Sequence, residues 1–199
     1  MVDFDKLPAE KQRVIINAAL LCFGKNGYKK ASVADIAEAA GIAKASVFQY
    51  FGTKKGLYFY LFNFSCEKIT QQMRAGGDDY FECIKIGTAA KMRVMAQYSG
   101  MPDFLSSMVK ENDGEILAEL HARFDARLND SLKSLFVNVD WNKFKPEIGL
   151  ERSRNIIKWV SDGYVKSAVE NKDTDTMLRE IAEYMDLLKS LLYKEEYLK

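Results

Sequence analysis

Lys44, Ala45, Ser46 and Gln49 are the residues of this chain whose types and spacing best suit contact with a patterned polar surface. At 3.6 residues per turn, Ala45 and Gln49 share one side of a helix, flanked by Ser46 and Phe48. Gln49 can both donate and accept at an adenine edge, and Lys44 in the first turn can donate to guanine or reach a phosphate. The short side chains at 45 and 46 let the helix backbone approach closely. Val47 and Phe51 occupy the other side, with Ile42 leading in, and read as core.

Two elements must hold that face in place. Ser32 can cap a first short helix, with Asp35 at the spacing of a capping box. Val33, Ile36, Ala37 and Ala40 recur at helical spacing as its apolar face. Gly41 tolerates the left-handed backbone of a helix end, and the second helix is expected from about Lys44 to Tyr50. A short helix, a glycine turn and a second helix with a small, polar outer face suit the major groove of DNA. Charge has the matching sign. Residues 1–57 hold nine Lys or Arg against five acids, while the rest of the chain holds 20 bases and 23 acids. A local positive excess is what phosphate contact requires.

The surrounding motifs complete a resemblance. Phe23-Gly-Lys-Asn-Gly-Tyr28, Ser32-Val-Ala-Asp-Ile-Ala37, Ala40-Gly-Ile42, Val47-Phe-Gln-Tyr-Phe51 and Thr53-Lys-Lys-Gly-Leu57 lie between Lys11 and Leu57. This quarter of the chain resembles the tetracycline-repressor (TetR) family of bacterial transcriptional regulators. The resemblance implies that Lys44, Ala45, Ser46 and Gln49 face base edges, and that Ser32, Tyr50 and Lys54 sit near phosphates. Phe48 stands where the family usually has a tyrosine, so a hydroxyl that could bond a phosphate is absent. Ala43 replaces the usual serine, and a side-chain cap worth about 1 kcal/mol goes with it. The operator sequence cannot be borrowed from a relative, because residues 45 and 46 also differ from common family choices.

Length and composition bound the rest. The chain has 199 residues, nearly half of them apolar, and only three prolines. That suits one compact unit or two closely packed lobes in an all-α fold. Residues 1–53 are expected to form a three-helix helix-turn-helix head, and residues 54–199 a larger helical domain for effector binding and dimerisation. The first helix should start near Pro8 and stop at Asn26-Gly27, with Val14, Ala18, Leu21 and Cys22 on its buried face. A helix capped by Thr53 should run to about Arg74. Further helices are expected to about Tyr98, from Pro102 towards Glu111, from Gly114 to about Phe136, from Glu151 to Asn171, and from Thr174 to Tyr193.

Met177, Ile181, Tyr184, Leu188 and Leu191 form a helix-pairing seam in the last helix. Ile157, Val160 and Tyr164 are equally dense on the helix before it. Two such helices from each subunit would make a four-helix homodimer interface, which the resemblance also implies. A dimer would set two reading helices roughly 34–36 Å apart on a palindromic operator. Met92, Met95, Tyr98, Phe104, Met108, Phe124 and Trp159 are candidates to line a pocket for a small, largely apolar effector. Met101 and Phe136 belong to the same soft, aromatic group. Ordinary core packing explains any one of them as well, and the resemblance carries the expectation of a pocket.

Other chemistries find little footing. Cys22, Cys66 and Cys83 have no paired spacing and fit a reducing cytoplasm better than a disulfide scaffold or zinc site. His121 is the single histidine, which rules out His-cluster metal sites and leaves little for a catalytic triad. No signal peptide, membrane span or phosphate loop is apparent, so no cofactor, metal or enzymatic activity is expected and no membrane partner. Two functions remain: a ligand-responsive DNA-binding regulator, expected to be a repressor, or a helical small-molecule or protein-binding module whose head no longer engages DNA.

Overall fold

The computed structural model describes residues 4–73, 76–123, 135–168 and 173–198. Among them the regular elements are helical, and extended pairing is confined to an isolated antiparallel bridge between Phe144 and Tyr193. Packing gathers the chain into two units, Met1–Gln71 with Arg93–Asn129, and Gln72–Met92 with Asp130–Lys199. These are units of packing.

The first unit begins with a 3-10 turn, Phe4–Lys6, followed by α1 (Ala9–Lys30), α2 (Val33–Ala39), α3 (Lys44–Phe51) and α4 (Lys54–Gln72). It also takes in the end of α5 (Tyr80–Gln97), then α6 (Met101–Val109) and a helical stretch, α7, at residues 117–123. The regular turn of α1 breaks at Gly27, whose φ of +67° is left-handed, close to the expected stop.

The buried face of α1 differs from the expectation. Ile15, Ile16, Ala19, Leu20 and Phe23 are buried with Ala18, whereas Val14 and Leu21 are exposed and Cys22 is half-buried. Residues 14–23 are apolar but for Asn17, so periodicity admits two stripes there, and the packing partner chooses between them. That partner is α6. A Cβ at Gly24 would lie 2.8 Å from Asp103 Cβ, and one at Gly100 would lie 2.5 Å from the Leu21 amide nitrogen. The two backbones meet where only hydrogen atoms fit.

The second unit holds the start of α5, a 3-10 turn Trp141–Lys143, α8 (Leu150–Ala168) and α9 (Thr174–Leu192). Its core is strongly aromatic, with Tyr80, Phe81, Phe144 and Tyr193 buried together. Asp79 begins α5, its carboxylate accepting from the Phe81 and Glu82 amides at 2.9 and 3.2 Å. The Lys189 ammonium of α9 meets the same carboxylate at 2.6 Å, and the Tyr193 hydroxyl accepts from the Tyr80 amide at 2.9 Å. The first turn of α5 is therefore fixed by the last turn of α9.

The expected seam of α9 divides into two stripes. Met177, Ile181 and Leu188 are buried inside the unit, where Met185 and Leu192 continue the row. Tyr184 and Leu191 instead share an exposed stripe with Leu187, which is 56% exposed. On α8, Ile157 is buried, while Val160 and Tyr164 are half-buried, and the Tyr164 hydroxyl donates to Glu180 at 3.0 Å. The helix is apolar on more than one face, so spacing alone does not separate the row buried within the unit from the row left exposed.

The expected effector-lining residues scatter. Phe104 and Met108 are buried with Met101 in the first core, and Met95 and Tyr98 pack against it. Met92 belongs to the second unit and is half-buried. Phe136 stacks on Tyr80 with ring centres 4.8 Å apart. Trp159 stands 67% exposed on α8, which removes it from any interior pocket of its own unit. Phe124, with residues 125–134 of the helix expected to reach Phe136, lies outside the described residues.

Candidate nucleic-acid interface

The head is assembled by local signals that agree with one another. Ser32 Oγ accepts from the Asp35 amide at 3.3 Å and so caps α2. Val33, Ile36, Ala37 and Ala40 are buried as one face. Gly41, at φ +64°, ends the helix with paired bonds, its own amide to Glu38 and the Ile42 amide to Ala37, each at 3.0 Å. Such a close satisfies two carbonyls that a helix end otherwise leaves free. It also turns the chain into α3 within two residues.

α3 presents the expected outer face. Val47 is its fully buried residue, at 1% exposure, and anchors the helix from beneath. Lys44, Ala45, Phe48 and Gln49 are exposed, while Ser46, Tyr50 and Phe51 are half-buried. Ala43 supplies no side-chain cap to the first turn. Free amides at a helix N-terminus and a cationic Lys44 beside them favour an anionic partner. The geometry offers one amide side chain, one ammonium and little steric bulk between them. That set can bond base edges in a groove wide enough for a helix.

The exit from α3 is equally defined. Gly52, at φ +74°, lets its amide bond Phe48 at 2.8 Å, and Thr53 Oγ1 then accepts from the Gly56 amide at 2.9 Å to cap α4. The Lys54 ammonium donates to the Lys29 carbonyl at 3.1 Å and lies 4.7 Å from the centre of the Tyr28 ring. The side chain expected near a phosphate is thus held where α1 ends and α4 begins. Lys29 and Lys30 are exposed at the same end of α1. Nothing in the spacing of the reading helix distinguishes them, and the break at Gly27 is the signal that places them.

A second set of contacts, invisible in the sequence, secures this junction. The Tyr28 amide, freed by the Gly27 break, donates to Glu111 at 3.0 Å, and its hydroxyl donates to Glu115 at 2.9 Å. Burial, reinforced by Glu115, holds the Tyr28 phenol protonated well above its ordinary range. Lys55 pairs with Glu119 at 2.9 Å and donates to the Glu115 carbonyl at 3.3 Å. Arg123 also meets Glu119, at 2.6 Å, and lies 4.6 Å from the Phe59 ring centre. Bonds from Lys55 and then Arg123 hold the Glu119 carboxyl below its usual range. Lys55, Phe59, Tyr60, Asn63, Glu119 and Arg123 surround a shallow, open depression of about 450 Å³.

Comparison with known proteins agrees with this geometry. Residues 15–61 match the family model for bacterial regulatory proteins of the tetR family, a span running from within α1 into α4. The HTH-type transcriptional repressor AcnR of Corynebacterium glutamicum is 22% identical over 95% of this chain and 96% of its own length. The HTH-type transcriptional repressor Rv1474c of Mycobacterium tuberculosis is 24% identical over 92% of each chain. Among solved structures, a TetR family transcriptional regulator from Chloroflexus aurantiacus superposes with a TM-score of 0.66 at 20% identity, covering 96% of this chain and 97% of that one.

Proposed function

Because this chain belongs to the TetR family of bacterial regulatory proteins, we propose that it is a repressor that leaves its operator when a small, largely apolar effector binds. The observation that carries this reading is the exposed row Lys44, Ala45 and Gln49 over a fully buried Val47. Residues 1–53 act as the head that touches DNA, and residues 54–199 provide effector binding and dimerisation. Gln49 and Lys44 read base edges past the short Ala45 and Ser46. Ser32, Tyr50 and Lys54 contact phosphates, and Phe48 offers apolar contact, for instance to a thymine methyl group. The protein works in the cytoplasm, as a regulator and without catalysis.

A homodimer is needed for this role, since one short reading helix makes a weak contact. The exposed stripe of Tyr184, Leu187 and Leu191 on α9, with Trp159 on α8, suits a second copy of the chain. Ile157, Val160, Tyr164, Met177, Ile181 and Leu188 support those helices from behind or at their margins. The effector acts by differential affinity for two spacings of the heads. In the first unit the path is short. α6 is locked to α1 at Gly24 and Gly100, and residues 111–123 are bonded to Tyr28 and Lys55. A shift of α6 and α7 must carry the base of the head with it.

The competing reading, a head that no longer meets DNA, draws no support from an outer face that stands exposed. A mobility-shift titration with DNA flanking the chain's own coding sequence separates the two. Specific retardation that weakens steeply with salt is the expected result. Binding no tighter than to random duplex would favour the competitor.

A further inference from the structure

Phe4 precedes the first long helix and belongs to neither the outer face nor the helical pattern of the head. Its side chain is nonetheless 5% exposed. The ring packs on Phe51 and Tyr50 of α3, with centres 4.8 and 5.7 Å apart, and on Tyr60 of α4 at 5.3 Å. One side chain therefore joins the C-terminal end of the reading helix to the helix after it.

The segment that carries Phe4 is itself tied down. The Leu7 amide donates to the Phe4 carbonyl at 3.1 Å. The Gln12 side-chain amide, in the first turn of α1, donates to the carbonyls of Asp5 and Leu7 at 3.1 and 2.8 Å. The Tyr60 hydroxyl donates to the Asp5 carboxylate at 3.5 Å. Residues 4–7 thus form a strap fastened to α1 on one side and to α4 on the other.

α3 has need of such a strap. It spans eight residues, shorter than any helix that persists alone in water. Its N-cap, Ala43, gives no side-chain bond, and Val47 is the single fully buried anchor. One anchor fixes a point and leaves tilt and rotation free. The aromatic contacts at Tyr50 and Phe51 supply the second point, and Phe4 is their shared partner. Base readout requires the outer face to be held within a fraction of an ångström, since hydrogen bonds weaken steeply with distance and angle.

We propose that Phe4 is a positioning residue for sequence recognition: it sets the tilt of α3 by clamping Tyr50 and Phe51 against Tyr60. The claim rests on the DNA-binding reading above. It predicts that truncating the Phe4 side chain harms specific binding far more than the electrostatic hold on any duplex.

Hydrogen–deuterium exchange of the free protein tests it, together with binding to duplex flanking the coding sequence and to random duplex at one salt. The subjects are the unaltered chain, Phe4→Ala and Phe4→Leu. In Phe4→Ala the amides of residues 47–51 should exchange faster while those of α1, α8 and α9 hold. Specific affinity should fall roughly tenfold and random-duplex affinity far less, since only the Tyr50 phosphate contact is loosened. Phe4→Leu, which refills the apolar site, should recover most of both the exchange and the affinity losses. Unchanged exchange at residues 47–51 in Phe4→Ala overturns the proposal. So does an equal fall for both duplexes, or a loss of protection spread through α1 and α6, which marks a general stability residue. If the unaltered chain binds no duplex specifically, the DNA-binding reading falls, and exchange at residues 47–51 still decides the positioning claim.

Discussion

The Lys54 ammonium sits 4.7 Å from the centre of the Tyr28 ring while donating to the neighbouring Lys29 carbonyl. Attraction to a ring face fixes the charge without neutralising it. The head therefore carries a pre-placed cation at the junction of α1 and α4. Lys54→Met should weaken binding to every duplex alike. It should lower the slope of log K against log salt by about one per subunit, as expected for a phosphate contact. Titrations at several salt concentrations measure this, and an unchanged slope would remove Lys54 from the interface.

Ala43→Ser should stabilise the protein by about 1 kcal/mol, because Ala43 holds an extended cap conformation at φ −68° and ψ 142° with no side-chain acceptor. Chemical denaturation reads the gain. No gain would mean that the first turn of α3 is already satisfied in another way.

Gly100→Ala should cost about 1–3 kcal/mol through overpacking. The added methyl would fall 2.5 Å from the Leu21 amide nitrogen and 2.8 Å from the Leu20 carbonyl carbon, both backbone atoms that cannot swing aside. Thermal melting tests this, and Gly114→Ala, at a position with open space around it, serves as the control.

Asp79 gives the second unit a pH dependence of known sign. Burial alone would raise its carboxyl, but the Lys189 ammonium and the Glu82 and Phe81 amides outweigh burial and hold it below its usual 3.8. A carboxyl lowered in the folded state stabilises above its unfolded pKa, and that contribution is lost as pH falls through the folded value. Asp79→Asn keeps an amide-capping oxygen but loses the charge paired with Lys189, so it should cost up to about 1 kcal/mol at neutral pH, and less as the solution is acidified below about pH 4. Denaturation curves of both proteins at neutral and acid pH should converge at the acid end.

The head was legible because each of its signals is local. Ser32, Gly41 and Thr53 act on neighbours within a few residues, and Val47 is buried as the helical period requires. Phe4 was illegible for the opposite reason: three residues before Pro8 carry no period, and the aromatic partners lie more than 40 positions away. The bond from the Tyr28 amide to Glu111 spans 83 positions, beyond any pattern rule. On α1 and α9 the difficulty was excess. Both helices are apolar on more than one face, so spacing puts Val14 and Leu21 in a buried row although they stand exposed, and it joins the buried Met177, Ile181 and Leu188 to the exposed Tyr184 and Leu191 in one seam.

Repression from a specific operator requires that the outer face of α3 reads sequence. The most direct measurement is the ratio of specific to random-duplex affinity for Gln49→Ala beside the unaltered chain. An amide that bonds a base edge predicts a ratio lowered about tenfold or more, with the salt slope unchanged. A ratio that Gln49→Ala leaves intact would contradict it.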